Sequence, residues 1–240
     1  MAPNPESFLR HLQELGYHPR SDKHSNCLSE CIVDDLIKHC QAIRKKAAEG
    51  RLVYELNFTL LTGTAEWKVD LVLGEPPPGL ASPQPPRRIL RTRPSTVQIA
   101  IELKTVMTEH RKAVKNRKRD FEAHHDHVHR YSKRAIAGGV MVINSAATFK
   151  SPLVDHVTYH REPESLVRHC IEQMRAVSQR SDIVGVGLDA KAAIVMDMDN
   201  QNIAKARYLL RGVAPRVGDP MHYDAFIQTI CNLFTDRFYR

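Results

Sequence analysis

Thr96-Val97-Gln98-Ile99-Ala100-Ile101-Glu102-Leu103-Lys104 is the stretch on which the reading of this chain turns. Its near-continuous apolar start suits a strand buried on both faces. Side chains alternate across a strand, so Glu102 and Lys104 share one face while Ile101 and Leu103 take the other. A buried strand that ends in two opposite charges on one face needs an explanation.

The segment before it offers one. Glu66-Trp67-Lys68-Val69-Asp70-Leu71-Val72-Leu73 reads as a strand stopped by Gly74, with Asp70 near its end, and residues 51–60 (RLVYELNFTL) read as an earlier strand rich in β formers. If the Asp70 and Glu102 strands pair, two carboxylates and one ammonium converge on a point. Two carboxylates supply hard oxygen ligands for Mg²⁺, and the lysine can position a water and stabilise charge on a phosphorane. An acid, any residue and a lysine also occur at Glu66-Trp67-Lys68 and Asp189-Ala190-Lys191. Only the Glu102 copy ends a hydrophobic strand and has an earlier strand carrying an acid.

Working outward, residues 5–15 suggest a first helix. Residues 26–48 read as one helix, with Leu28, Ile32, Leu36, Cys40, Ile43 and Ala47 at three- and four-residue steps and Gly50 placed to end it. Residues 74–95 hold seven of the fourteen prolines and read as a long exposed connection between two strands. A polar helix follows at about 108–132, then a buried strand at 138–144, an amphipathic helix at 163–179 and a strand at 192–198. Asp219 and Pro220 suggest the N-cap and first residue of a last helix. No internal repeat is visible. The sum is an α/β fold, read as a single domain over residues 1–240, with a core at about 26–144, the Pro-rich loop 74–95 and C-terminal elements 163–240.

At 240 residues the chain can bury a full core without disulfides. Its five cysteines are odd in number and irregularly spaced, which fits free buried thiols in a reducing cytoplasm. No apolar run reaches the roughly 18 residues of a membrane helix, so no membrane partner is expected. The first residues, MAPNPESFLRHLQEL, do not read as a secretory signal. Lys and Arg total 35 against 27 acids, a net charge of +8 that suggests a polyanionic partner.

Asp70…Glu102-Leu103-Lys104, set in the order helix, three strands, helix, strand, resembles the PD-(D/E)XK nuclease superfamily over roughly half the chain. That family's usual proline before the first Asp is replaced by Val69. The resemblance implies a restriction-endonuclease-like core with a mixed central sheet flanked by helices, and extra C-terminal helices. It implies Mg²⁺, with Mn²⁺ able to substitute, held by Asp70, Glu102 and the Leu103 backbone carbonyl. Lys104 is implied as the catalytic lysine, and Glu30 is the candidate for a further acid on the first core helix. Size and architecture look most like a type II site-specific restriction endonuclease. That in turn implies double-stranded DNA, a bacterial cytoplasm and a homodimer matching two-fold DNA symmetry. A structure-selective or defence nuclease of the same superfamily, and an inactive basic DNA-binding protein on this fold, are the alternatives.

Residues 111–119 (RKAVKNRKR) carry six Lys or Arg in nine, with few acids nearby. Arg111, Lys115, Arg119, Lys112, Arg117 and Lys118 are therefore expected to contact the DNA backbone. Phe121 and Tyr131 are expected in the core. His124-His125-Asp126-His127-Val128-His129 reads as a polar helix surface. The alternative is that His125 and His129, four apart, share a metal. Residues 18–25 form a polar, cationic segment in which Asp22 or Ser25 could cap the following helix.

Overall fold

The computed structural model describes residues 5–15, 21–63, 65–80, 85, 88–150, 155–201 and 206–239. Parts of the Pro-rich loop, of the 18–25 segment and of the 180–218 segment lie outside them.

Three helices come first: α1 (Glu6–Leu15), α2 (Asp22–His39) and α3 (Gln41–Ala48). The helix expected over 26–48 is thus two helices. Cys40 takes an extended conformation (φ −108°, ψ 106°) between them, and its thiol lies against the Cys231 carbonyl. Ser21, not Asp22 or Ser25, caps α2 by accepting the Lys23 N–H. Gly50, at φ +69°, takes the left-handed conformation that ends α3.

Strands β1 (Val53–Thr62) and β2 (Ala65–Gly74) form an antiparallel hairpin. The Pro-rich connection contributes a two-residue strand, β3 (Leu90–Arg91), parallel to β1. Then come β4 (Ile99–Val106), α4 (His110–Tyr131), β5 (Ile136–Asn144), β6 (Thr148–Lys150) and β7 (Val157–Tyr159). The chain continues with α5 (Pro163–Arg175), β8 (Ala190–Asp197), β9 (Arg207–Tyr208) and α6 (Tyr223–Phe238). The small β6–β7 hairpin and β9 are too short to carry a periodic signal. The last helix begins later than expected, with His222 as its cap. Asp219 instead accepts the Met221 N–H and pairs with Arg175.

Among the described residues the main sheet has seven strands in the order β3-β1-β2-β4-β5-β8-β9. Strands β4, β5 and β8 are mutually parallel, β2 runs antiparallel to both its neighbours, and α4 is the crossover from β4 to β5. Among the described residues the architecture is therefore α/β with a mixed sheet and six helices.

Strand alternation divides the apolar side chains between the two faces. Ile99, Ile101 and Leu103 of β4 pack on the side of α2, α3 and α6. Ala100 and Val106 pack on the side of α4 and α5, the face that Glu102 and Lys104 share by alternation. The β1–β2 hairpin changes sides part-way along. Tyr54, Leu56 and Leu71 belong to the first core, Phe58, Leu60 and Val69 to the second. The change falls at Asn57 (φ +55°), which the register sets opposite Asp70.

Candidate active site

The β2–β4 ladder joins only Leu71–Leu73 to Ile99–Ile101. Beyond Ile101, β4 continues along β5 as far as Val106 and Ile143, while β2 leaves with β1. Asp70 stands at this fork. Its Oδ2 accepts the Leu103 N–H at 2.8 Å, taking the place of the lost ladder bond. The N–H and C=O of one strand residue point to the same side, so the Leu103 carbonyl is aimed into the same gap.

Glu102 is 2% exposed. Its Oε1 pairs with the Lys104 ammonium, whose side chain is open to solvent at 22%. Its Oε2 is buried without a hydrogen-bond partner. Burial, then the charge of Asp70, push the Glu102 carboxyl up to about 8. Burial also raises Asp70, while Lys104, the Leu103 N–H and Ser25 draw it back. Burial alone would lower Lys104, but Glu102 and Asp70 outweigh it and raise the ammonium's pKa. One ammonium lies between the buried Glu102 carboxyl and the half-buried Asp70 carboxyl, and Asp120 adds a further negative field.

Gly139 brings α4 down onto this strand. It lies beside Glu102 in the β4–β5 register, and a Cβ there would stand 2.8 Å from Leu188 Cδ1 and 2.9 Å from Phe121 Cδ1. With Phe121 seated, the next turn of α4 sets His124 over Glu102. His124 is fully buried, with Nε2 3.3 Å from the Ala100 carbonyl and Nδ1 3.8 Å from Glu102 Oε2. Burial lowers its pKa to about 3, so the ring is neutral.

Among the described residues, no three His, Cys, Asp or Glu side chains form a group able to hold an ion. Mg²⁺ does not need such a cage, since it commonly takes one or two carboxylates and keeps several waters. The orphaned Glu102 oxygen, the excess of carboxyl over ammonium and the Leu103 carbonyl at the fork suit a hard divalent cation.

Glu30 stands apart from this group. Its carboxylate accepts from Tyr54 at 2.6 Å and pairs with Arg91 at 3.3 Å, toward the β1–β3 edge. The α2 residues that bear on Asp70 are Ser25, by hydrogen bond, and Asp22, by charge. Their signal in the sequence is the three-residue step from the first turn of α2.

The basic run is better neutralised than its composition suggests. Lys112 pairs with Glu109, Arg117 with Asp120 and Lys118 with Glu122, and Arg117 also donates to the Thr105 carbonyl. Arg111, Lys115 and Arg119 are exposed, four residues apart on one stripe, and make no ion pair among the described residues.

The histidine segment is not a solvated surface, because the hairpin and the 180–188 segment close over α4. His124 and His125 are buried, and His127 stacks on Trp67 at 4.9 Å. His125 and His129 have ring centroids 6.3 Å apart, and His129 is engaged by Asp189. Phe121 is in the core as expected, whereas Tyr131 is 40% exposed at the end of the helix.

The other two acid-x-lysine copies have different surroundings. Lys68 makes an exposed pair with Asp22. Asp189 is buried with Arg180, Arg237 and His129, and Lys191 donates to the carbonyls ending α5.

No family model, no curated protein and no solved structure matches this chain. What the fold and the site define is an α/β protein with one buried and one half-buried carboxyl and a lysine at a fork between two strands. Among the described residues, no helix is long and apolar enough to cross a membrane.

Proposed function

We propose that this chain is a Mg²⁺-dependent endonuclease of the PD-(D/E)XK type that hydrolyses phosphodiester bonds of double-stranded DNA. The observation that carries the reading is the convergence of Asp70, Glu102 and Lys104 where β2 and β4 part. The order α2/α3, β1, β2, β4, α4, β5 supports it, because it is the helix, three strands, helix, strand order the resemblance implies.

In this reading Asp70, Glu102 and the Leu103 carbonyl hold the ion, and Mn²⁺ can substitute. When bound, the ion polarises the scissile phosphate and lowers the pKa of a water. Lys104 orients the attacking water and stabilises charge developing on the phosphate oxygens. Asp70 fixes the fork through Leu103, so the ligands are set before substrate arrives. Arg111, Lys115 and Arg119 contact the DNA backbone, with Lys112, Arg117 and Lys118 partly committed to their own acids.

The substrate reading is type II site-specific cleavage by a homodimer in a bacterial cytoplasm. Base contacts would come from the Pro-rich connection and the 180–218 segment.

One digest tests the reading. Purified protein and its Asp70→Ala variant are incubated with long duplex DNA in Mg²⁺, Mn²⁺ or EDTA. Discrete fragments from wild type in metal alone are expected. A smear or branch-specific cutting moves the reading to a structure-selective or defence nuclease. DNA binding without cutting in either metal makes it an inactive DNA-binding protein. Equal cutting by the variant places the site elsewhere.

A further inference from the structure

Val184 and Val186 are 77% and 67% exposed, close together on the loop between α5 and β8. That loop is tied down along its length. At its neck the Leu188 N–H donates to the Ser178 carbonyl and the Arg180 N–H to the Leu188 carbonyl, each at 2.9 Å. At its tip the Asp182 carboxylate accepts the N–H groups of Val184 and Gly185 at 2.9 and 2.7 Å. From inside, the buried Arg180 guanidinium donates to the Ile183 and Gly185 carbonyls, and to the Lys133 carbonyl where α4 leads into β5. Ordering a loop costs conformational entropy, and an exposed valine gives none of it back. A compact loop braced by a buried arginine so that it holds apolar side chains outward is a surface prepared for a partner.

The surroundings select the partner. The loop and the C-terminal end of α4 enclose a pocket of about 280 Å³ that His129, Arg130 and Lys133 also line. Arg130 and Lys133 are exposed and form no ion pair among the described residues. Asp126, on the same wall, lies 3.1 Å from His125 Nδ1. Arg130 follows Arg119 by about three full helical turns, so it extends the stripe of Arg111, Lys115 and Arg119 by about 16 Å on the same side of α4. A line of cations that ends at an apolar tip complements a chain of phosphates with apolar groups between them, which is the surface of a DNA groove.

We propose that the 181–186 loop reads bases in duplex DNA, with Val184 and Val186 against thymine methyl groups in the major groove and Arg130 and Lys133 on the flanking phosphates. The 5-methyl of thymine is the apolar group that base pairs present in that groove. Valine is short and branched at Cβ, so it reaches a methyl on a base edge but not between stacked pairs, where larger side chains serve as wedges. The inference rests on the reading of duplex DNA as the substrate and adds a preference for thymine at the contacted positions.

The test is a gel-shift titration of the full chain, in EDTA and in Ca²⁺, against one long duplex prepared with thymidine and the same duplex prepared with deoxyuridine. Wild type should bind the thymidine duplex about fourfold or more tightly, the value of one or two buried methyl groups. Val184→Ser combined with Val186→Ser, both on exposed positions, should abolish the preference. Arg130→Gln combined with Lys133→Gln should keep it and reduce the slope of log K against log salt by about 2. No preference in wild type, or an unchanged preference in the serine variant, overturns the role of the loop and leaves DNA binding standing. A serine variant that keeps the preference but loses self-association in light scattering makes the loop an interface between copies of this chain and likewise overturns it. Binding of neither duplex by wild type overturns both readings.

Discussion

Asp70 and Leu103 are joined across the fork of the sheet, the side chain of one accepting the backbone N–H of the other at 2.8 Å. This bond lets two strands separate without leaving a buried donor unpaired. It also places a carboxylate beside the strand that carries Glu102 and Lys104. The same atom therefore serves the fold and the proposed chemistry, and substitutions can separate the two.

Asp70→Asn keeps an oxygen for Leu103 and loses the charge. It should fold with near-native stability and cut DNA at least about 100-fold more slowly. Asp70→Ala also loses the acceptor and should cost a further 1–3 kcal/mol or so of stability. Cleavage rates and denaturant unfolding of the pair check this, and wild-type cutting by Asp70→Asn would remove Asp70 from the site.

Lys104→Ala should reduce cleavage by roughly 10²-fold or more, with DNA affinity close to wild type. A gel-shift titration beside a single-turnover digest separates the two. Matching losses in binding and cutting would make Lys104 a DNA contact instead.

Stability in EDTA should depend on pH through Glu102. Its folded value, about 8, lies above the ordinary 4.5, so between them the folded state holds a proton that the unfolded state has released. This contribution is therefore present at low pH and lost as pH rises toward 8, by an amount on the order of a few kcal/mol. Other groups titrate in the same range, so the measurement is the difference in slope between wild type and Glu102→Gln. No difference would mean Glu102 is not strained by its burial. Adding Mg²⁺ or Mn²⁺ should restore wild-type stability at the alkaline end.

Replacing Arg111, Lys115 and Arg119 together by Gln should weaken DNA binding and reduce the slope of log K against log salt by about 1 per residue. Arg117→Gln should change that slope less, because Arg117 is already bound to Asp120 and Thr105. A salt titration of each variant decides, and an equal effect from Arg117 would place DNA on the inner flank of α4.

Asp189→Ala leaves Arg180 and Arg237 without their shared buried carboxylate. It should destabilise the protein by roughly 3–5 kcal/mol, as removing one partner of a buried ion pair does. Thermal unfolding checks this. A folded variant of near-wild-type stability would show that the backbone carbonyls around Arg180 suffice.

Much of the site was legible because strand alternation is a local property. Glu102 and Lys104 had to share a face, and an acid on the preceding strand had to lie near them if the strands paired. Glu30 is engaged by Tyr54 and Arg91 instead of facing Asp70, because helical spacing gives a face but not how far along the helix the sheet's fork will fall. His124 was passed over inside a polar run. A signal was present: Val114, Phe121 and Val128 form a buried stripe at seven-residue steps, and His124 stands three residues after Phe121. The two-helix break at Cys40 had no such signal, since its extended conformation accompanies a contact with Cys231 far along the chain.

By itself, then, the sequence determined the order of the longer strands and helices apart from the break at Cys40, the α/β class and the pairing of charges on β4, all of which follow from short-range periodicity and backbone geometry. Only the tertiary structure decided where β2 leaves β4, that α2 offers Asp22 and Ser25 rather than Glu30, and that α4 lowers a neutral histidine onto Glu102. Those outcomes depend on contacts between segments far apart in the chain, such as Gly139 admitting Phe121 and Trp67 covering His127, and burial at such contacts sets the charge state of each group at the site.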